Sequence, residues 1–245
     1  MYLHIKSIIY RMLGILYPKR CVACDKVLLK IEKEIGFCRE CAGKIKLVGP
    51  VACMKCGGPL LDDRKEFCNN CAQAPKAFTQ GKAIYQYTGN MKNAMYRFKY
   101  GNRRCYGRTF AEHALHYYGG WIKSKNIEVI VPVPMYEKKE KKRGYNQATV
   151  LAKALSDMTG IPVADKIVRR EKETEAMKQL NALKRKKNLL NAFSLQKNVV
   201  QFKKVLIVDD IYTTGTTMDE VAKVLKAGGV DEVFGISVCI GECSD

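Results

Sequence analysis

The sequence predicts an α/β protein: a parallel sheet with helices on both faces, preceded by a small cysteine-rich, metal-binding domain. Three observations predict it. Residues 205–217, VLIVDDIYTTGTT, run from four apolar residues through two acids into a hydroxyl- and glycine-rich turn. Apolar residues at helical spacing (Met218, Val221, Ala222, Leu225) follow. A second apolar run, VIVPVP at 129–134, also feeds a helical pattern. Four C-x-x-C pairs crowd into residues 21–71. Apolar strands separated by helices imply parallel pairing, with ligands bound at the carboxyl ends of the strands.

The 245 residues suffice for one sizeable core and a small module. Hydrophobic content of 47% and charged content of 27% exclude a disordered chain. The net charge is +19, of which residues 1–75 carry +6 and residues 76–245 carry +13. Such a field suits a polyanion, whether a pyrophosphate ligand or nucleic acid. The longest apolar runs are too short to span a membrane, and the first residues lack a signal-peptide core, so a cytoplasmic protein is expected. In that setting paired C-x-x-C spacing points to metal rather than disulfides.

Residues 1–17 place Ile5, Ile8, Ile9, Met12, Leu13 and Leu16 on one helical face, which predicts an amphipathic packing helix ended by Pro18. Residues 18–75 form the metal domain. Cys21/Cys24, Cys38/Cys41, Cys53/Cys56 and Cys68/Cys71 supply eight thiolates, enough for two closed four-thiolate Zn2+ sites with a structural role. Sequential sharing, first pair with second and third with fourth, is the expected pairing; a cross-braced arrangement would use the same residues. Residues 73–78 read as a linker into a third domain at 76–245.

In that domain residues 82–87 read as a strand, and residues 91–100 as a helix with Met95 and Phe98 inward. Lys92, Arg97, Lys99, Arg103, Arg104 and Arg108 interleave with Tyr96, Phe98, Tyr100 and Tyr106. Rings beside cations suit single-stranded nucleic acid; equally, the rings pack in the core and the cations are solvated. A helix at 109–122 carries His113 and His116, read as packing or surface residues. After the strand at 129–134 a basic loop is expected, ending at Lys142, Arg143 and Gly144 just before a helix that begins near Asn146. Residues 161–170 read as a strand with a break at Asp165, and residues 171–193 as a mobile, partly helical loop. The strand, turn and helix at 205–217 come next, and a last strand covers 233–239.

The 205–217 run has the makings of an anion site. Free N–H groups at a helix N-terminus and threonine hydroxyls attract phosphate, whereas Asp209 and Asp210 would repel it and must face sugar hydroxyls or Mg2+. The run resembles the phosphoribosyl pyrophosphate (PRPP) signature of type I phosphoribosyltransferases. The resemblance implies that Asp209 and Asp210 hold the ribose and act in catalysis, and that Thr213, Thr214, Gly215, Thr216 and Thr217 hold the 5-phosphate. It also implies Mg2+ bound with PRPP, pyrophosphate contacts from Lys142, Arg143 and Gly144, and mobile-loop contacts from Arg170, Thr174, Arg185 and Asn188.

The whole order resembles the ComF family. It comprises Tyr-Pro-x-x-Cys after an amphipathic helix, C-x-x-C pairs, a Lys-Tyr segment, Val-Pro-Val-Pro, Arg143-Gly144-Tyr145-Asn146-Gln147, an Arg-x-x-Asn stretch ending at Phe193, and the PRPP signature. One departure is Met177, where the family often has Gln three residues after the threonine that is Thr174 here. The resemblance implies a role in natural competence, in handling incoming single-stranded DNA, with competence-machinery proteins as partners. Two functions follow. One is a Mg2+-dependent phosphoribosyltransferase that displaces pyrophosphate from PRPP onto an unknown acceptor. The other is a non-catalytic DNA-binding adaptor with a regulatory or vestigial PRPP site.

Overall fold

The computed structural model describes residues 18–172, 192–196 and 201–242. The helix expected at 1–17 and the loop candidates Thr174, Arg185 and Asn188 lie outside the described residues. The cysteine-rich segment holds short helices α1 (Glu32–Ile35), α2 (Arg39–Ala42) and α3 (Asn69–Gln73). The chain continues through β1 (Gln80–Gln86), α4 (Gly89–Tyr100), α5 (Tyr106–Ser124), β2 (Val129–Pro132), α6 (Glu137–Arg143), α7 (Gln147–Thr159), β3 (Val168–Arg170), β4 (Phe193–Leu195), β5 (Lys204–Tyr212), α8 (Thr216–Ala227) and β6 (Glu232–Ile240).

Four strands form the main sheet in the order β1-β6-β5-β2, every pair parallel. β5 shows why. Its side chains alternate between two apolar layers, Leu206 and Val208 on one face and Val205 and Ile207 on the other, so both faces need cover. The first face packs against α4, α5 and α7 through Phe98, Phe110 and Leu151. The second packs against α8 through Val221 and Leu225. β3 and β4 make a separate antiparallel ribbon.

Three local expectations need correcting. The basic stretch after β2 is a helix, α6, rather than a loop: Glu137 pairs with Lys141 one turn on at 2.6 Å, and Gly144 caps the end in the left-handed region. The strand expected across 161–170 does break at Asp165, but it is shorter than expected on both sides, with one isolated bridge from Val163 to Ile130 before the break and β3 after it. The strand expected to stop at Val208 runs on to Tyr212, because Asp209, Ile211 and Tyr212 keep their register with β6. Both acids are therefore strand residues.

The cysteine-rich segment covers the free edge of β1. The amides of Val48 and Gln86 bond the carbonyls of Ile84 and Lys46, each at 2.9 Å, and Gly81 donates to the Lys55 carbonyl at 2.6 Å. Gly57 lies so close that a Cβ there would stand 2.7 Å from the Gly81 oxygen and the Lys82 Cα; its φ of +71° also favours glycine. An exposed edge strand recruits other chains, and here it is paired away. Among the described residues no helix is long and apolar enough to cross a membrane.

Candidate functional site

The eight paired cysteines form two groups, Cys21, Cys24, Cys38, Cys41 and Cys53, Cys56, Cys68, Cys71. This is the sequential pairing. None is in a disulfide, and within each group the four sulfurs lie within 4.8 Å of one another. Cys24 and Cys38 Sγ are 3.7 Å apart, and Cys56 and Cys68 Sγ are 3.8 Å apart. A tetrahedral shell with Zn–S bonds of about 2.3 Å requires sulfurs about 3.8 Å apart, so the donor sets fit structural Zn2+. Four thiolates per ion would complete a tetrahedral shell at each site.

The second feature is a cleft of about 350 Å3 at the carboxyl ends of β2 and β5, within the range of small-ligand sites. Of the acids and threonines singled out in the sequence, Asp209, Asp210, Thr213 and Thr217 line it. Arg143 and Arg170 also line it. Thr214, Gly215 and Thr216 build the turn without lining the cleft. Thr214 and Thr216 share a hydroxyl hydrogen bond of 2.8 Å. Gly215 has φ of +73°, and a Cβ there would collide with the Tyr212 ring. Lys142 is exposed on α6, and Gly144 serves as its cap, its carbonyl accepting from Arg104 Nη2 at 2.8 Å.

The two acids differ. Asp210 is 9% exposed and pairs with Lys99 at 3.0 Å. Burial by itself would lower the Lys99 pKa, but the Asp210 carboxylate outweighs it and holds the ammonium above its ordinary value. Asp209 accepts the Asp210 amide at 2.8 Å. Burial, then the Asp210 charge, pushes the Asp209 carboxyl up to about 7.

Lys99 stands out as a cleft residue that the sequence placed only within a general basic patch; the signal that marks it is the Lys-Tyr segment. Asn146 and Gln147 also line the cleft. Their buried side chains explain the Arg-Gly-Tyr-Asn-Gln run. Asn146 caps α7 by accepting from the Ala148 amide at 3.0 Å and donates to the Val133 carbonyl at 2.9 Å. Gln147 donates to the Phe98 carbonyl at 3.2 Å and accepts from Arg143 at 2.6 Å. Tyr145 donates to the same carbonyl. The run thus ties α4, β2 and α7 together around Arg143.

Two family models match this chain: a double zinc ribbon domain over residues 12–72 and a phosphoribosyl transferase domain over residues 124–241. Over 219 residues the chain is 35% identical to Competence protein F of Haemophilus influenzae, covering 87% of this chain and 93% of that protein. The chain belongs to the ComF family. Competence protein ComFC of Bacillus subtilis is 25% identical, with 85% of this chain and 89% of that protein covered. DNA utilization protein YhgH of Escherichia coli is 27% identical, with 83% and 90% covered. In this ComF-family chain the ribbon segment carries both cysteine groups, and the transferase segment contributes most of the carboxyl-end cleft.

Proposed function

We propose that this ComF-family chain binds PRPP, or another phosphoribosyl compound, with Mg2+ in the carboxyl-end cleft, and serves natural competence by handling incoming single-stranded DNA. One observation carries the reading: Asp209, Asp210, Thr213 and Thr217 meet Arg143 and Arg170 around a single cavity. In this reading the hydroxyls and amides at the start of α8 take the 5-phosphate, Asp209 and Asp210 take the ribose hydroxyls, and Arg143 and Arg170 take the pyrophosphate. Lys142, Gly144, Thr214, Gly215 and Thr216 support the same ligand from outside the cavity wall. The carboxylate pair beside a pyrophosphate site fits Mg2+, which takes few protein ligands and prefers substrate phosphates. When bound, Mg2+ supplies screening of the pyrophosphate charge. The competence and DNA utilization names of the relatives, together with the charge of +19, support the DNA role. The cytoplasm is the compartment in which PRPP and incoming strands meet.

As an enzyme, the chain would stabilise the departing pyrophosphate with its arginines, while Asp209 and Asp210 balance positive charge developing on the ribose. A second reading, binding without turnover, is favoured by Lys99. An ammonium 3.0 Å from Asp210 already neutralises the carboxylate that catalysis would use.

Calorimetric titration of PRPP with Mg2+ into wild type and a folded Asp209→Ala/Asp210→Ala variant tests the site. Heat in the wild type that disappears in the variant is expected, and no heat in folded, zinc-loaded wild type would sink the reading. Release of pyrophosphate that stops in Asp210→Asn would identify the enzyme; tight binding with no release across nucleobase, amine and DNA acceptors would identify the adaptor.

A further inference from the structure

We propose that the outward face of α4, extended by Arg143, is the surface on which single-stranded DNA docks, and that it leads the strand to the mouth of the cleft. The proposal deepens the DNA-handling reading and rests on it.

Lys92, Tyr96 and Tyr100 recur every fourth residue and so share one face of α4. The opposite face is spent on the core through Met91, Ala94, Met95 and Phe98. Among the described residues Tyr96 is 61% exposed and Tyr100 57%, and their ring centroids lie 5.2 Å apart at 48°. A separation that short leaves no room to slide a base between the rings, so each ring presents its outward surface. The Arg143 guanidinium sits 4.8 Å from the centre of the Tyr100 ring. The same Arg143 lines the cleft. A continuous track therefore runs Lys92, Tyr96, Tyr100, Arg143, cleft.

The chemistry of the track selects its occupant. Lys99, Arg103 and Arg108 already pair with Asp210, Asp25 and Glu112, whereas the track itself bears Lys92 and Arg143 and no carboxylate, so the partner is anionic. The exposed residues of α4 are Gly89, Lys92, Asn93, Tyr96 and Tyr100, with no aliphatic side chain to enter a lipid or protein core. Aromatic rings flanked by cations stack bases and neutralise phosphates, which needs bases that are not already paired. Phe98 and Tyr106, from the same stretch, are fully buried and take no part.

The experiment is fluorescence anisotropy of a labelled oligothymidylate against the full zinc-loaded chain, with a duplex of equal length as competitor. Tyr96→Ala/Tyr100→Ala should weaken binding by at least about tenfold, because each stacked base is worth a large factor. Its salt dependence should stay that of wild type, since no cation is removed. Tyr96→Phe/Tyr100→Phe should bind as wild type does. Both rings are surface groups, and circular dichroism with zinc content checks the fold. Wild-type affinity in the alanine variant, weakness in the phenylalanine variant equal to that in the alanine variant, or equal competition by duplex would each overturn the proposal. PRPP calorimetry on the alanine variant separates the two claims. Absence of PRPP heat in every protein, with oligothymidylate binding still dependent on the rings, would remove the PRPP reading and leave the docking surface standing.

Discussion

At the scale of single residues, the cleft is built on a carboxyl that is costly to ionise. Asp209 is held up to about 7 by burial and by Asp210. The folded state therefore binds more protons than the unfolded state between about pH 4 and pH 7, and stability is lost as pH rises through that window. Asn keeps the oxygen that accepts the Asp210 amide but has no charge to desolvate. The advantage of Asp209→Asn over wild type should therefore grow by about 2 kcal/mol between pH 5 and pH 8. Urea denaturation at the two pH values checks this, and a variant no more stable at pH 8 than at pH 5 relative to wild type refutes it. Destabilised functional carboxylates are a familiar trade of stability for binding. Here the acids, the threonine turn and Arg143 are readable as residue types in sequence. That Asp210 already holds Lys99 is not, because 111 residues separate partners joined only by packing of α4 on the sheet.

At the scale of elements, α4 is the link between the first metal centre and the cleft. Within its last turn Arg97 donates to the Ala23 carbonyl inside the Cys21-Cys24 knuckle, while Lys99 reaches Asp210. Arg103 and Tyr106, just beyond, both bond Asp25 at the same knuckle. Residues two apart on a helix point about 200° apart, so one turn grips the ribbon and the cleft at once. Arg97→Met keeps the aliphatic stem and the helix propensity but releases the knuckle. It should weaken PRPP binding about three- to tenfold, seen by calorimetry, with both zinc ions retained; unchanged affinity would uncouple the two sites. The sequence announced α4, α5, α7, α8 and the strand cores by their apolar period. It misread α6, whose seven residues lack any apolar face and are held by i,i+4 pairing and a glycine cap, features that look the same in a charged loop.

At the scale of the whole molecule, the cysteine-rich half is joined to both faces of the sheet. Cys21, Cys38 and Cys41 belong to the apolar layer of α4 and α5, and Cys53, Cys56, Cys68 and Cys71 to the layer beneath α8. Each metal centre thus anchors one side of the α/β core. His113 helps: its ring sits between Tyr85 of β1 and the Ile35 carbonyl, and burial lowers its pKa so that it stays neutral. Removing zinc should do more than unfold a small module. Chelation is expected to release two zinc ions per chain and free the β1 edge, and the chain should then self-associate, as measured by metal analysis with light scattering. A monodisperse, monomeric apoprotein with intact sheet signals would contradict this.

Several properties were set by the sequence alone. Each follows from local chemistry: C-x-x-C knuckles offer paired thiolate donors, a four-residue apolar run makes a buried strand, and TTGTT before a helical pattern makes a tight turn into a helix. The tertiary structure decided which knuckles share a metal, which of the interleaved aromatics are core and which are surface, and that Lys99 enters the cleft. Those outcomes depend on distances between segments far apart in the chain. They are fixed when two apolar faces of one sheet are buried, and no local pattern encodes them.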